Sequence, residues 1–407
     1  MSAGAPYPYY RDESRQTFSR IPSHWDVARA RHLVRIRTGT GDTVDAELDG
    51  PFPFYVRSDA PLLSSKWDFD TTAVLTAGDG AGVAKVFHLV AGRFMAHQRV
   101  YVLDDFRRVT PKFFYYAFSN LFHLMALDGS AKSTVDSVRR PMIADMPFAI
   151  PPLDEQRSIA GYLDRETARI DTLIEEQQRL IEMLRERRTA VIANATAQGE
   201  DVELRRVIAV LRQGWSPNCE SWPADGVAEW GVLKVGCANT GRFNPAENKR
   251  LPDDETPRPE LAVNQGELVM SRSNTKDLVG AAAVVDGSYP RLLLSDLTYG
   301  LSLADDADPA FVAYALGSPR MRAQIGAASK GMSQSMQKIS QRDIRELRLR
   351  LPALTEQRHM VAHLDGQTAK IDALIAETGR FIDLTRERRS ALITAAVTGQ
   401  IDVREMA

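Results

Sequence analysis

Two stretches of the chain, about two hundred residues apart, share one pattern of apolar and polar positions. When residues 151–198 are placed over residues 352–399, 23 of 48 positions are identical. Apolar residues in both stretches recur at alternating spacings of three and four, which predicts two amphipathic helices with a heptad seam. The predicted seam residues are Leu163, Ile170, Leu173, Leu180 and Leu184 in the first stretch and Leu364, Ile371, Leu374 and Phe381 in the second.

The ends and the length of these stretches support the same prediction. Asp154 and Thr355 are expected as N-caps, and Gly199 and Gly399 lie where the helices are expected to stop. About 43 helical residues give a rod of roughly 65 Å, which is too long for the interior of one small domain. We therefore expect the two helices to pair with each other as antiparallel rods. Pairing with a second copy of the chain is the alternative.

Each helical stretch follows a globular region in which short apolar runs predict strands and one longer run predicts a helix. We predict a mixed α/β (α+β) fold, in which two mixed domains are joined by two long antiparallel coiled-coil helices as a pseudo-two-fold repeat. The predicted boundaries are 1–150 for the first domain, 151–198 for the first helix, 199–350 for the second domain, and 351–407 for the second helix and the tail. The strand runs are 52–57, 72–77, 84–90 and 98–103, with counterparts at 230–236, 266–273, 281–287 and 297–303, and the amphipathic helices begin at Pro111 and Asp308.

The composition limits the classes of protein that fit. With 44% hydrophobic and 26% charged residues, the 407-residue chain resembles an ordinary globular protein. Its net charge of −2 gives no overall attraction to nucleic acid, so any such binding must use local patches. No apolar run is long enough for a membrane helix, and the N-terminal residues lack a signal-peptide core. Since Cys219 and Cys237 are the only cysteines, we expect a cytoplasmic protein without membrane contact.

No pattern predicts catalysis or a metal site. The glycine-rich run at 78–86 lacks the Gly-Lys-Ser/Thr ending of a phosphate loop, which favours a hairpin turn. His359 and His363 are four residues apart on the second helix, but the first helix has Ser158 and Tyr162 at those positions. Methyltransferase, Walker and nuclease patterns are also missing, so we predict a protein that is not an enzyme and binds no metal.

Loop segments at matching places in the two halves contain the side chains that read DNA. Arginine and asparagine pair in bidentate fashion with guanine and adenine, while lysines, hydroxyls and amides suit phosphates. A segment of this kind taken alone is more often just a solvated loop, so the matching positions carry this prediction. The predicted DNA-binding residues are Arg35, Arg37, Thr40, Lys85, His97, Gln98, Arg99, Lys132 and Ser133 in the first half, and Arg212, Gln213, Trp215, Ser271, Arg272, Ser273, Asn274, Lys276, Lys330, Ser333, Gln334, Ser335 and Lys338 in the second.

The doubled pattern resembles that of one family, the specificity (S) subunits of type I restriction–modification systems. The resemblance rests on "IPSHWDVARARHL" from Ile21, on "PPLDEQR" and "LPALTEQR" at the heads of the two helices, and on the "RERR" segments near their ends. It covers nearly the whole chain. One departure is that the first half lacks an equivalent of "SRSN" at 271–274, because "LTAGDG" at 75–80 takes its place.

The resemblance implies a non-catalytic subunit that reads double-stranded DNA. Each globular domain is then a target-recognition domain for one half of a bipartite site, and the helices set the spacing and dock two methylation (M) subunits. S-adenosylmethionine, ATP and Mg would be bound by the M subunits and by restriction (R) subunits, with no cofactor in this chain. Two alternatives are a coiled-coil scaffold that binds only proteins and an enzyme with its own modification or restriction activity.

Overall fold

The structure is a computed structural model that describes residues 6–80, 83–127, 137–333 and 336–404. It contains two compact units, Met1–Gln177 with Arg380–Ala407, and Gln178–Gly379. Each unit holds one mixed domain, the beginning of one long helix and the end of the other. The mixed α/β class predicted from the sequence is confirmed. The predicted boundaries at 150, 198 and 350 stay predictions.

The first mixed domain, called domain 1 below, precedes the first long helix. Its strands are β1 (Tyr10–Asp12), β2 (Arg20–Pro22), β3 (Asp26–Arg29), β4 (Arg35–Thr38), β5 (Phe52–Tyr55), β6 (Leu62–Ser64), β7 (Phe69–Asp70), β8 (Ala73–Ala77), β9 (Phe87–Val90), β10 (Arg93–Ala96), β11 (Val100–Asp104) and β12 (Pro147–Ile150), and its helices are α1 (Pro111–Leu127) and α2 (Arg140–Ala144). The first long helix, α3 (Leu153–Ala195), follows directly.

The second mixed domain, domain 2, lies between the two long helices in the sequence. Its strands are β13 (Glu200–Glu203), β14 (Ile208–Gln213), β15 (Gly231–Leu233), β16 (Asn248–Arg250), β17 (Leu268–Ser271), β18 (Ser273–Asn274), β19 (Ala282–Val284), β20 (Leu292–Leu293), β21 (Thr298–Leu303), β22 (Lys330–Ser333), β23 (Met336–Lys338) and β24 (Arg348–Leu351), and its helices are α4 (Pro309–Gly317), α5 (Pro319–Ala328) and α6 (Gln341–Glu346). The second long helix is α7 (Leu354–Val397).

The two domains repeat one strand arrangement. Domain 1 has an antiparallel sheet of order β4-β11-β8-β9, and domain 2 has the equivalent sheet β14-β21-β17-β19. The register also repeats, because the Tyr101 hydroxyl donates to the Val138 carbonyl at 3.1 Å and the Tyr299 hydroxyl donates to the Ile339 carbonyl at 3.2 Å. In both domains a parallel strand pair, β5 with β10 and β15 with β20, forms part of a further sheet.

A close backbone approach explains one repeated glycine. A Cβ on Gly39 would lie 2.0 Å from the Ala96 carbonyl oxygen, and a Cβ on Gly214 would lie 2.0 Å from the Leu294 carbonyl oxygen. No residue with a side chain fits at either place without moving the neighbouring strand. The edge strands β4 and β14 therefore leave their sheets at equivalent points.

One predicted helix is divided in two. The helix expected from Asp308 is observed as α4 and α5, separated at Ser318, which has extended backbone angles. Pro319 causes the break, since proline has no N–H to donate and disfavours helical geometry in the residue before it. Its counterpart α1 runs unbroken over the predicted segment from Pro111.

The long helices begin two residues earlier than expected. Because α3 starts at Leu153 and α7 at Leu354, Asp154 and Thr355 lie in the first turns and are not N-caps. Beyond their ends Gly199 has a φ of +107° and Gly399 a φ of +71°, values that favour glycine.

The buried stripe of the helices differs in part from the predicted seam. Leu180, Leu374 and Phe381 are 36%, 49% and 44% exposed. The isoleucine that follows each of them is better covered, and Leu173 is half-buried. The reason is that adjacent Leu-Ile pairs fit either column, while buried threonines in the true seam hide its register. The predicted seam residues that are buried are Leu163, Ile170, Leu184, Leu364 and Ile371.

Ion pairs between the helices occur in both units. In the first unit Arg389 donates to Asp171 at 2.9 Å, and in the second unit Arg188 donates to Asp372 at 3.0 Å. These four residues are two copies of the same two positions in the repeat, an aspartate and an arginine 17 residues later. The beginning of each helix therefore lies beside the end of the other.

Each domain is fastened to the long helix that follows it by a buried glutamine. The Gln156 amide accepts from the Thr110 N–H and donates to the Arg108 and Pro151 carbonyls, at 2.7–2.9 Å. Gln357 makes the same set of bonds in the second unit. Its partners are the Asp308 N–H and the carbonyls of Asp306 and Pro352.

A tyrosine provides a second repeated contact. The Tyr116 hydroxyl of α1 donates to Asp164 of α3 at 2.7 Å, and burial together with this carboxylate raises the pKa of Tyr116 to about 12. Tyr314 of α4 donates in the same way to Asp365 of α7 at 2.6 Å. The two domains are thus attached to their helices by equivalent residues.

Candidate nucleic-acid interface

Domain 2 has a basic cleft beside the edge strand β14. The cleft has a volume of about 820 Å³ and lies between β14, the β22–β23 hairpin and α6. Four of the predicted DNA-binding residues line it, which are Gln213, Arg272, Lys330 and Lys338. The other lining residues are Tyr299, Ile339, Ser340, Gln341, Arg342, Asp343 and Glu346.

Some charged residues of this cleft have ion-pair partners and others do not. Arg342 pairs with Glu346 at 2.9 Å, and Asp343 accepts at 2.6 Å from the hydroxyl of Ser340, the N-cap of α6. Lys330 and Lys338 are exposed and form no ion pair with the part of the chain that the structure describes. Two lysines without carboxylate partners, on either strand of a hairpin, are suited to phosphate oxygens.

Domain 1 has a smaller basic cleft beside its own edge strand, β4. It has a volume of about 280 Å³ and is lined by Arg31, Arg35, Arg107 and Arg140, together with His32, Val34, Ile36 and Ala144. Arg35 is held by Asp104, whose carboxylate accepts from the guanidinium at 3.0 and 3.2 Å. This hydrogen bond raises the pKa of Arg35. Both clefts therefore lie between the sheet edge and the short helix before the long one.

Several predicted DNA-binding residues are engaged inside the protein. Arg212 donates to the buried Glu267 at 2.6 Å and to the carbonyls of Glu260 and Ala262. Arg37 pairs with the buried Asp104. Internal partners of this strength fix the two arginines as supports of their sheets, and leave few donors for an external ligand.

Other predicted DNA-binding residues of domain 1 are also engaged or buried within the protein. Thr40 donates to Asp68 from its N–H and its hydroxyl, and Gln98 donates to Asp42 at 3.1 Å. His97 is buried, which lowers the pKa of its imidazole. Arg99 pairs with Asp79 but remains 60% exposed.

The remaining predicted DNA-binding residues lie in different surroundings. Ser271 and Ser273 are buried, while Lys85 and Lys276 are exposed in turns. Asn274 donates to Asn239 at 2.9 Å, and Trp215 packs under the guanidinium of Arg258. Ser333 ends β22. Lys132, Ser133, Gln334 and Ser335 lie outside the described residues.

Four arginines that line the two clefts were not predicted from the sequence. Arg31, Arg107, Arg140 and Arg342 line the clefts but were not among the predicted residues. Continuing the repeat alignment upstream of Pro151 would have placed Val138 over Ile339 and brought in the arginines beside them. Arg107 has no such signal, because it reaches the cleft only through the folding of the chain around β11.

The described residues form neither a metal-ligand cluster nor a membrane-spanning helix. No three His, Cys, Asp or Glu side chains converge there as metal ligands. No helix in the same part of the chain is long and apolar enough to cross a membrane. Both cysteines are free thiols, and burial raises the pKa of Cys237 to about 12.

Two mixed α/β domains of equivalent topology, attached to a pair of long helices and carrying unlike basic clefts, define a class of duplicated two-domain protein. Residues 22–183 match the family model described as the type I restriction modification DNA specificity domain. The resemblance to the specificity subunits of type I restriction–modification systems is therefore confirmed, and it is carried by domain 1 and the first long helix.

Two curated proteins of Escherichia coli support this assignment. The specificity subunit of the type I restriction enzyme EcoEI is 29% identical over 160 residues, which cover 39% of this chain and 27% of that protein. The EcoDI specificity subunit is 29% identical over 176 residues, or 43% of this chain and 38% of that protein. The chain thus matches well under half the length of these two relatives.

A solved structure extends the likeness in fold to nearly the whole chain. A chain from a study of complex assembly and conformational transition of the type I R-M system has a TM-score of 0.70 at 14% identity. The match covers 93% of this chain and 99% of that one. At this identity the likeness concerns the fold alone.

Proposed function

We propose that this chain is the DNA sequence-specificity subunit of a type I restriction–modification complex and has no catalytic role. Domain 1 reads one half of a bipartite site in double-stranded DNA, and domain 2 reads the other half. One contrast supports the proposal. The two domains are attached to their long helices in the same way, whereas their clefts contain different residues. Gln156 and Gln357 fasten the domains identically, while the arginines and lysines of the clefts differ.

The long helices act in this proposal as an antiparallel coiled coil that spaces the two half-sites. Asp171 with Arg389, and Arg188 with Asp372, support this role because equivalent residues pair reciprocally. With 43 and 44 residues, α3 and α7 are each about 65 Å long. That length suits half-sites about one to two turns of DNA apart, at roughly 34 Å per turn.

Two matching apolar patches support docking of two methylation subunits. In the first unit Leu173, Phe381 and Leu384 are half-buried or exposed. Their repeat counterparts in the second unit, Leu374, Leu180 and Met183, are exposed. The same three positions of the repeat thus present apolar side chains in both units, as expected if two copies of one partner dock.

The remaining chemistry belongs to other chains in this proposal. S-adenosylmethionine is bound by the two M subunits, and ATP and Mg by R subunits where these are present. The expected location is the cytoplasm, where two free cysteines would stay reduced.

The test is co-expression of the full chain with the methylation subunit of the same system, followed by genome-wide mapping of methylated adenine. We expect methylation at a two-part motif with a gap of fixed length, which is absent when this chain is omitted. A continuous motif, or the same methylation without this chain, would contradict the proposal. Complex formation without any sequence-selective DNA binding would instead favour the protein scaffold.

A further inference from the structure

An arginine lies at the same point of both domains but is supplied by opposite strands. In domain 2 the Arg272 N–H donates to the Leu297 carbonyl at 2.8 Å, directly after β17. In domain 1 the Gly78 N–H donates to the Arg99 carbonyl at 2.7 Å, directly after β8. Gly78 is therefore the structural counterpart of Arg272, and Arg99 is the counterpart of Leu297.

The surrounding register supports this correspondence. One residue further along, Asp79 bridges to Ser137 in domain 1, and Ser273 pairs with Lys338 in domain 2. On the other side, the Val138 N–H donates to the Gly78 carbonyl, as the Ile339 N–H does to Arg272. The two domains thus share this hydrogen bond but carry the arginine on opposite sides of it. Only the sequence differs at these equivalent positions.

Domain 1 has no room for an arginine on the strand that carries it in domain 2. A Cβ on Gly78 would lie 2.8 Å from the Arg99 carbonyl oxygen and 3.1 Å from the Tyr101 ring. Arg99, on the neighbouring strand, is 60% exposed and meets no such obstacle. An arginine is kept at this pair of hydrogen-bonded positions, although the strand that supplies it changes.

Each of the two guanidinium groups donates to an acceptor within its own domain. Asp79 accepts from Arg99 and also from Arg57, the latter at 2.9 Å. Arg272 donates from one Nη to the Asp296 carbonyl at 2.9 Å and remains half-exposed in the cleft with Lys330 and Lys338. An arginine oriented by a second residue keeps its planar fork in one direction, which favours bidentate recognition of a flat acceptor edge.

We propose that Arg99 and Arg272 are the counterpart base-reading residues of the two domains, each directed at a guanine in its own half-site, with Asp79 as the positioning residue for Arg99. This inference rests on the proposed function. Guanine is the base class, because its O6 and N7 form the acceptor pair in the major groove that matches an arginine fork. It predicts one G·C pair in each half-site that depends on one arginine.

The test uses the full chain with its methylation subunit and compares the methylated motifs of the wild type with those of Arg99→Ala and Arg272→Ala. Each variant is expected to lose about 10- to 100-fold of its preference for guanine at one position of one half-site, with the other half unchanged. Asp79→Asn is expected to relax the same position as Arg99→Ala, but less. Arg93→Ala and Arg320→Ala, which remove exposed, ion-paired arginines elsewhere on the same domains, are the matched controls.

The outcomes separate this inference from the proposed function. A wild type without a bipartite motif overturns both. A bipartite wild-type motif that stays unchanged in both arginine variants overturns only the base-reading assignment. If the alanine variants methylate nothing, Arg99→Lys and Arg272→Lys decide, since lysine keeps the charge without the fork. Relaxation at one position supports the inference, and an unchanged motif or complete loss contradicts it.

Discussion

The first turns of α3 and α7 have the same Glu-Gln-Arg sequence and lie in different surroundings. Glu155 is buried and accepts from the Tyr7 hydroxyl, from Trp25 Nε1 at 2.9 Å and from His24 Nε2 at 2.9 Å. Its counterpart Glu356 is exposed. The neighbouring glutamines, by contrast, are both fully buried with equivalent partners.

The difference follows from where the two ends of the described chain lie. Residues near both ends pack against the start of α3, since the Tyr10 hydroxyl donates to the Gly399 carbonyl and Arg404 stacks on the Tyr7 ring. In the second unit the chain passes directly from α3 through Gly199 into β13, the counterpart of β3, so no segment equivalent to residues 7–25 precedes that strand. A repeated sequence therefore has repeated energetics only where its surroundings are repeated as well.

The largest contrast is expected between the two glutamates. Glu155→Ala should lower the free energy of unfolding by about 3 kcal/mol, because it leaves buried donors of Tyr7 and Trp25 without an acceptor. Glu356→Ala should change it by less than about 0.5 kcal/mol, as is usual for an exposed residue. Urea unfolding followed by tryptophan fluorescence measures both. Equal effects of the two substitutions would falsify the distinction.

The glutamines provide the symmetric comparison. Gln156→Ala and Gln357→Ala should each cost about 2 kcal/mol, because each leaves one N–H and two carbonyls unsatisfied in a buried junction. The same urea titrations give the two values, and hydrogen exchange at Thr110 and Asp308 locates the loss in the expected unit. A cost at one junction only would show that the domains are attached differently.

The smallest effect concerns the ion pairs between the helices. The Asp171–Arg389 and Arg188–Asp372 pairs have side chains that are 29–49% exposed, so each coupling energy should be about 0.5 kcal/mol. Double-mutant cycles with alanine measure the couplings, and 1 M salt should reduce them. Couplings that differ by more than about 1 kcal/mol would break the reciprocity of the helices.

Local sequence patterns were sufficient for the repeated parts of the fold. The heptad spacing located both long helices to within two residues at their starts, and the apolar run from Pro111 coincides with α1. The sequence also showed that residues 75–80 of domain 1 stand where domain 2 has residues 271–274. The strand register makes Gly78 the equivalent of Arg272. These features depend on residues that are near each other in the chain.

The candidate site was less predictable because its side chains are selected by distant partners. Arg212 looks like a DNA-binding residue until Glu267, 55 residues away, is seen to accept from it. Arg37 is engaged in the same way by Asp104. Conversely, Arg140 and Arg342 become candidates only when α2 and α6 are seen beside the sheet edges. Burial and long-range pairing, which a single sequence does not display, decide which arginines remain available.

The division of the chain between the two units has a consequence for biosynthesis. The second unit is continuous in sequence, so all of it is synthesised before the segment from Arg380 that completes the first unit. The first unit includes the earliest and the latest residues, and its core takes in Ile393, Val397 and Val403. During translation the apolar face around Ile159 and Leu163 therefore stays partly uncovered until residues 393–403 have been made. Of the two units, the one that is started first is completed second, so its apolar face is exposed for longer during synthesis.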